Sequence, residues 1–106
     1  LYVGDFEDSE FSGSGMLIES DGSKYIGQFS AGLPNGYGVE EQVNGVRYFG
    51  TWSDGLKEGA GTVDFGNGAT YVGDFKNGFA HEGKYDWGDG RVTDSYQDET
   101  GTWLDR

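Results

Sequence analysis

The pentapeptide YVGDF stands at residues 2–6 and again, letter for letter, at residues 71–75. Two variants lie between these copies, since YIGQF begins at Tyr25 and YFGTW begins at Tyr48. The pattern Tyr-x-Gly-x-aromatic therefore returns every 23 residues over four units. A fixed period of this length is the sequence signature of a repeat architecture.

The composition indicates a folded chain despite its low hydrophobicity. The 106 residues have a hydrophobic fraction of 34% and a net charge of −12, a mixture common in disordered proteins. Disordered chains lack a strict period and are poor in aromatic residues, which reach 16% here, beside 21 glycines. We therefore predict one folded domain. The chain has no cysteine and no apolar run long enough for a transmembrane helix.

The glycines keep the same period as the tyrosines. One set follows the motif at Gly32, Gly55 and Gly78, with Ser9 in the first unit. A Gly-x-Gly pair comes next in three units, whereas the fourth unit is one residue shorter and has His81 or Glu82 in place of a glycine. Near the end of each unit stands Asp-Gly or Asn-Gly, at residues 21–22, 44–45, 67–68 and 89–90.

These Asp-Gly and Asn-Gly dipeptides predict two-residue type I′ turns, in which both central residues have positive φ. Such a turn fixes the pairing of the two strands that it joins. The expected pairs are Glu19 with Lys24, Ile18 with Tyr25, Leu17 with Ile26, Met16 with Gly27, Gln42 with Arg47, Glu41 with Tyr48, Glu40 with Phe49, Val39 with Gly50, Tyr37 with Trp52, Asp64 with Tyr71, Val63 with Val72, and Ala60 with Phe75.

Side chains alternate between the two faces of a strand, so the tyrosine, the glycine and the final aromatic residue of each motif share one face. We expect the glycine to leave a gap that a neighbouring ring covers. The opposite face carries Val3, Ile26, Phe49 and Val72. Apolar residues on both faces favour a meandering antiparallel sheet that has no second layer.

The complete pattern resembles the MORN repeat family, the membrane occupation and recognition nexus. It consists of Tyr-x-Gly-x-Trp/Phe, a glycine, Gly-x-Gly and Asp/Asn-Gly, and it covers residues 2 to about 90. The resemblance implies an all-β fold: an elongated, twisted, single-layer antiparallel β-meander of four 23-residue hairpin repeats. Residues 1–90 would form these repeats, and residues 91–106 would form atypical capping strands or a junction.

The resemblance also implies a scaffold or partner-binding module with a shallow aromatic groove. The rings can be the sheet's own core and can also contact a partner, because exposed aromatic groups mark interaction sites. We expect a non-enzymatic module that binds a peptide or helix in this groove. The candidate partner-binding residues are Tyr25, Phe29, Tyr48, Trp52, Tyr71 and Phe75.

Catalytic and metal-binding motifs are missing from the sequence. There is one histidine, and no serine stands in a Gly-x-Ser-x-Gly setting, so we expect no enzyme and no cofactor. The acidic stretch at residues 86–94 has rings where a calcium loop needs ligands, which favours a hairpin turn. His81 is interpreted as a loop residue without metal partners.

The charge of the chain has two interpretations. Nineteen acidic residues against seven basic ones keep an exposed sheet soluble, and they also favour a basic protein or peptide partner. Nucleic acid and anionic membranes are disfavoured as partners, because both would repel the domain. Two alternatives stay open: a self-associating structural element, and an acidic inhibitor that mimics nucleic acid. We predict a cytoplasmic location.

Overall fold

All 106 residues are described by the structure, a computed structural model that contains ten β-strands and no helix. The strands form one antiparallel sheet in which each strand pairs with its neighbours in chain order. The all-β meander predicted from the sequence is therefore confirmed. The strands are β1 (Tyr2–Glu7), β2 (Glu10–Ile18), β3 (Lys24–Ser30), β4 (Leu33–Glu41), β5 (Arg47–Ser53), β6 (Leu56–Asp64), β7 (Thr70–Lys76), β8 (Phe79–Asp86), β9 (Val92–Gln97) and β10 (Trp103–Asp105).

The sheet is elongated across its strands. Nine steps between strands, at about 4.8 Å each, give about 43 Å, and the longest dimension of the molecule is 47 Å. The other two dimensions are 22 and 21 Å, whereas a flat single layer is only about 10 Å thick. The sheet is therefore twisted and not flat, and it bends toward one face, since the ring of Phe65, which follows β6, lies 5.4 Å from the Trp103 ring of β10 between centroids, four strands further along. We call this face, which carries the motif tyrosines, the inner face.

The two-residue type I′ turns do not lie at the Asp-Gly and Asn-Gly dipeptides that were predicted to form them. They join the strands at the opposite strand ends. Positive φ at both central residues occurs at Asp8 and Ser9, and the same holds for the residue pairs 31–32, 54–55 and 77–78. The predicted dipeptides instead lie in longer loops, and in each dipeptide the glycine has positive φ while the Asp or Asn does not. In the first of them, Gly22 N–H donates to Glu19 O at 3.0 Å and Glu19 N–H donates to Ser23 O at 2.9 Å. This is a three-residue loop with a glycine bulge.

The predicted strand pairs are consequently wrong by one residue. A three-residue loop contains one residue more than a type I′ turn, and a shift of one residue exchanges the two faces of a strand. Tyr25 therefore faces Leu17, and Tyr48 faces Glu40. The remaining pairs follow the same shift: Ile18 with Lys24, Met16 with Ile26, Gly15 with Gly27, Glu41 with Arg47, Val39 with Phe49, Gly38 with Gly50, Tyr37 with Thr51, Gly36 with Trp52, Asp64 with Thr70, Val63 with Tyr71, Thr62 with Val72, Ala60 with Asp74, and Gly59 with Phe75.

Each hairpin contains a bulge next to the motif glycine, and the bulge explains the Gly-x-Gly pairs. In the first three units the register shifts there, and Gly13, Gly36 and Gly59 adopt positive φ. The fourth unit has a shorter bulge, at His81, without positive φ. The fourth unit lacks the residue that adopts positive φ in the other bulges, so it needs no glycine there. The interpretation of His81 as a loop residue is wrong, because it lies within β8.

Asp and Asn in the three-residue loops act through their side chains. Asn44 Oδ1 accepts the N–H of Val46 at 3.1 Å, and Asn67 Oδ1 accepts the N–H of Ala69 at 3.0 Å. Asp21 Oδ1 accepts both the hydroxyl and the N–H of Ser23, and these hydrogen bonds hold the pKa of the Asp21 carboxyl below its usual value. The Asp or Asn side chain therefore adds a hydrogen bond, to the N–H two residues further on, that stabilises the loop.

Ser9→Gly is expected to stabilise the domain. Ser9 has a φ of 68° in the first type I′ turn, at the position that glycine occupies in the other three units. An L-residue in this conformation is strained, so the free energy of unfolding should rise by about 0.5–1 kcal/mol. Urea denaturation measures the change. Ser53→Gly is the matched control at a strand position, and it should lower the stability instead; a loss of stability in Ser9→Gly would contradict the turn assignment.

Candidate functional site

A row of glycines crosses the inner face of the sheet. Gly38 lies opposite Gly27 on one side and Gly50 on the other, and the row runs through eight strands: Gly4, Gly15, Gly27, Gly38, Gly50, Gly61, Gly73 and Gly83. The motif tyrosines lie across it. A Cβ added to Gly61 would lie 2.5 Å from Cε2 of Tyr48, and one added to Gly38 would lie 2.2 Å from the Tyr25 hydroxyl oxygen. The predicted ring over the glycine gap is confirmed.

Each motif tyrosine also donates a hydrogen bond from its hydroxyl. Tyr25 OH reaches the carbonyl oxygen of Gln28 at 2.7 Å, and Tyr48 OH reaches that of Thr51 at 2.8 Å. Tyr2 and Tyr71 make the same contact three residues further along their strands. The bulge interrupts the backbone pairing at this point, so the hydroxyl bonds to a carbonyl at the interruption. This bond satisfies the polar end of a buried ring.

The six aromatic side chains predicted to bind a partner form one cluster and, with Val63 and Ala80, make up the core of the protein. In the first three units, each tyrosine packs edge to face with the aromatic residue of its own motif and with that of the next unit, whereas Tyr71 meets Trp103 at a tilted angle. Tyr25, for example, lies 4.9 Å from Phe29 and 5.2 Å from Trp52 between ring centroids, at nearly perpendicular angles. Equivalent pairs join Tyr2 to Phe29, Tyr48 to Phe75, and Tyr71 to Trp103.

The expectation that a single-layer sheet leaves these six rings partly accessible is wrong. Their exposed fractions lie between 0% for Tyr71 and 8% for Trp52. The bend of the sheet and the aromatic residue of the following unit cover them. Partner contact through these side chains stays a prediction, and almost none of their surface is open to it.

One ion pair interrupts the apolar inner face, and the sequence analysis missed it. Glu40 stands opposite Tyr25 and Tyr48, in the row where other strands have Leu17 or Val63. Lys57 Nζ lies 3.2 Å from Glu40 Oε1 and 5.2 Å from the centroid of the Tyr48 ring. The lysine therefore pairs with the carboxylate and also packs over a ring face. An alignment of the units would have shown the single acid in an apolar column.

Residues 91–106 continue the sheet as β9 and β10. Trp103 of β10 occupies the place that the aromatic residue of a following unit would take, 5.0 Å from the Tyr71 ring. Gln97 accepts the N–H of Ala80 at 2.9 Å, and the Arg106 guanidinium donates to the carbonyl of His81 at 2.6 Å. These contacts hold β9 and β10 against the fourth unit.

The outer face, opposite the tyrosines, carries an apolar stripe. It runs laterally over seven strands, because Ile26 pairs with Met16 and Val39, and Phe49 pairs with Val39. Val3, Ile26 and Val72 are more than half exposed, and the other members are partly buried. We call this row the outer stripe; its members are Val3, Met16, Ile26, Val39, Phe49, Thr62 and Val72.

Carboxylates predominate on the outer face along both sides of the stripe. The row on one side contains Glu41, Asp64 and Asp86, with Lys24 and Arg47 as its cations. The row on the other side contains the acidic residues Asp5, Asp74 and Glu82 and no basic residue. The outer stripe, which includes Thr62 and is followed by Lys84 on β8, thus lies between rows that carry more acidic than basic residues.

The cavities and titratable groups offer little for chemistry. The largest cavity, of about 420 Å³, is lined by Glu82, Gly83, Lys84, Asp94 and Arg106, without an apolar side chain. Small-molecule sites are predominantly apolar. No three acidic or histidine side chains converge as metal ligands do. The predicted hairpin turn at residues 86–94 is confirmed, since it joins β8 to β9.

The fold and its faces define the class of protein: a β-repeat protein whose hairpins are held together by aromatic packing on one face. A family model described as the MORN repeat matches residues 2–24, 25–47, 48–70 and 71–90. The chain therefore belongs to the MORN repeat family. Comparison with curated proteins gives no match. The structure contains no helix long and apolar enough to cross a membrane.

Tyr48→Ala and Tyr48→Phe should separate the two contributions of a motif tyrosine. Loss of the ring opens a cavity over the glycines and should lower the free energy of unfolding by about 3–5 kcal/mol. Loss of the hydroxyl alone removes one hydrogen bond and should cost about 1 kcal/mol. Urea denaturation measures both. Tyr37→Phe, on the outer face, is the control with little expected change; a Tyr48→Phe protein as stable as the wild type would refute the role of the hydroxyl.

The domain is expected to lose stability at alkaline pH because three of its tyrosines are buried. Burial raises the pKa of Tyr25, Tyr48 and Tyr71 to about 12, against about 10 in an unfolded chain. Between these values the unfolded chain has released protons that the folded protein keeps, so the free energy of unfolding falls as pH rises from about 10 to 12.

A tyrosinate absorbance titration, followed beside circular dichroism, tests this expectation. Three of the seven tyrosines should ionise late and together with unfolding, and Tyr48→Phe should remove one of the three. Ionisation of all seven near pH 10 in a protein that stays folded would show that the rings are accessible.

Proposed function

We propose that this MORN repeat protein is a non-enzymatic interaction module that binds a basic amphipathic helix along its outer stripe. The observation that carries the proposal is the continuous apolar row between two acidic flanks. Exposed apolar surface with a polar rim is typical of protein interaction sites.

The dimensions of the outer stripe suit a helix that lies across the strands. Seven strands span about 29 Å at a spacing of about 4.8 Å. Anchors on one face of a helix, at i, i+3, i+4 and i+7, recur on average about every 5 Å. One apolar side chain of the partner can therefore lie against each strand over about twenty residues. Helices that lay an apolar face on a hydrophobic surface are a common recognition mode.

The charge of the outer face supports a basic partner. Six carboxylates lie beside the stripe as far as β8, against the three cations Lys24, Arg47 and Lys84, and the whole chain has a net charge of −12. Complementary charges raise association rates and exclude partners of the wrong sign. The same field repels anionic lipid surfaces and nucleic acid.

The accessible surface favours the outer stripe over the aromatic groove inferred from the sequence. A partner that inserted between Tyr48 and Trp52 would have to displace rings that pack on each other at 5.2 Å. Ile26, by contrast, is more than half exposed and needs no rearrangement. The proposed partner chemistry is thus retained, while the contact surface moves to the opposite face.

Ile26→Asp is expected to weaken helix binding at least about tenfold, because it removes apolar contact and adds a charge in the middle of the stripe. The probe is a fluorescein-labelled model peptide of about twenty residues, with leucine on one helical face and lysine elsewhere. Fluorescence anisotropy measures its binding. Val43→Asp is the control, since Val43 is 68% exposed, lies in a turn away from the stripe and undergoes the same change in charge.

The same peptide with scrambled sequence, and a version with glutamate in place of lysine, should both bind at least tenfold more weakly. Equal binding of the scrambled peptide, or equal losses in Ile26→Asp and Val43→Asp, would refute the outer stripe as the site. Binding that vanishes at high salt whatever the stripe residue would point to the acidic surface alone. A folded Tyr48→Ala protein that loses the peptide while Ile26→Asp keeps it would restore the aromatic groove as the site.

A further inference from the structure

The chain contains four Asn-Gly dipeptides, at residues 35–36, 44–45, 67–68 and 77–78. In such a dipeptide the backbone nitrogen of the glycine can attack the side-chain amide carbon of the asparagine, because glycine has no Cβ to obstruct the approach. The attack needs a glycine N–H that is not held in a hydrogen bond, and a backbone that can rotate about the asparagine. The four sites differ in both respects.

Hydrogen bonds hold three of the four dipeptides. Gly45 N–H donates to the carbonyl of Gln42 at 3.0 Å, and Gly78 N–H donates to a carbonyl of β6 at 2.9 Å. Asn35 lies within β4, where its Nδ2 donates to Asp54 Oδ1 at 3.2 Å. The attacking nitrogen is therefore occupied at two of these sites, and the amide group is held in place at the third.

The loop at residues 66–68 differs, because a glycine stands on each side of its asparagine. Gly66 and Gly68 both have positive φ, at 79° and 94°, whereas Val43, which corresponds to Gly66 in the second unit, does not. Gly68 N–H donates no hydrogen bond, in contrast to Gly45 N–H in the corresponding loop. The attacking nitrogen is therefore free, and the two glycines give the backbone around it the freedom to rotate.

The side chain of Asn67 is already placed for the reaction. Its Oδ1 accepts the N–H of Ala69 at 3.0 Å. This hydrogen bond draws electron density from the amide carbon, and it points at the oxygen on which negative charge develops when the nitrogen attacks. Asn44 makes the same contact with the N–H of Val46 at 3.1 Å. The two loops therefore differ in the attacking nitrogen and not in the carbonyl group.

We propose that Asn67 is a site of spontaneous deamidation in the folded protein. Hydroxide removes the proton of Gly68 N–H, the nitrogen forms a bond to Cγ of Asn67, and the Cγ–Nδ2 bond breaks with release of ammonia. The product is a cyclic succinimide. Water then opens the ring at either carbonyl carbon, which gives aspartate or isoaspartate and adds a negative charge to the loop. The reaction uses only water and this chain's own atoms.

The two products should differ in their effect on the fold. Aspartate keeps the acceptor for the N–H of Ala69, as Asp89 does for the residue two positions on in its own loop. Isoaspartate instead adds a side-chain carbon to the main chain, in the loop that fixes the pairing of Val63 with Tyr71. We therefore expect isoaspartate to lower the free energy of unfolding, and Asn67→Asp to leave it close to that of the wild type.

Peptide mapping by mass spectrometry, after incubation in mildly alkaline buffer, measures the conversion of each asparagine. In the folded protein Asn67 should convert at least about fivefold faster than Asn44, which is the rate difference that one occupied hydrogen bond produces. The same incubation in guanidinium chloride is the control for sequence effects. The difference should largely disappear there, because the unfolded chain exposes both dipeptides equally.

Two reciprocal substitutions test the role of the loop. Gly66→Val gives this loop the sequence of the loop at residues 43–45, and it should slow the conversion of Asn67 to about the rate of Asn44. Val43→Gly is the matched variant in the second unit, and it should accelerate the conversion of Asn44. Circular dichroism shows whether each variant is folded.

Equal rates at Asn67 and Asn44 in the folded protein would overturn the proposal, as would faster conversion of Asn35 or Asn77. A rate ratio that stays the same in guanidinium chloride would also overturn it, because the sequence alone would then set the rates. Folded variants in which neither reciprocal substitution changes a rate would show that the conformation of the loop is not the cause.

Discussion

The structure depends on one contact: a tyrosine ring that lies flat over two glycines and ends in a hydrogen bond to its own strand. A single-layer sheet has no second layer to bury against, so its apolar side chains must be covered by one another. Glycine allows the Tyr48 ring to lie directly on the backbone of Gly61, where any Cβ would collide with it. The hydroxyl then meets the carbonyl at the bulge. Ring, glycine and bulge are therefore one device, and each explains the presence of the other two.

This device gives the two faces of the sheet different roles. The inner face is used for stability, since its rings cover one another in an unbroken series of contacts from Phe6 to Trp103, edge to face except at the tilted Tyr71–Trp103 pair. The outer face contributes no core residue, and its apolar stripe is left between acidic flanks. The apolar side chains on the outer face are mostly aliphatic, and Phe49 is the aromatic member of the stripe. In the proposed function, the acidic flanks favour a basic partner.

The sequence was sufficient for the architecture and insufficient for the register. The 23-residue period, the shared face of Tyr25 and Phe29 and the ring over the glycine follow from alternation and steric limits, which act locally. The turn type does not, because Asp-Gly is compatible with a two-residue turn at residues 54–55 and with a three-residue loop at residues 21–22. The burial of the aromatic rings could not be predicted either, because it arises from the bend of the whole sheet and from contacts between units. The Glu40–Lys57 pair was missed because it joins residues that only the corrected register brings together.

The strands that follow the fourth unit show that the aromatic contacts have a direction. Every motif tyrosine is covered by the aromatic residue of the next unit, so the tyrosine of the fourth unit needs a substitute. Trp103 is that substitute for Tyr71, at 5.0 Å between ring centroids. The same kind of ring contact therefore joins the repeats to one another and joins the fourth repeat to β10.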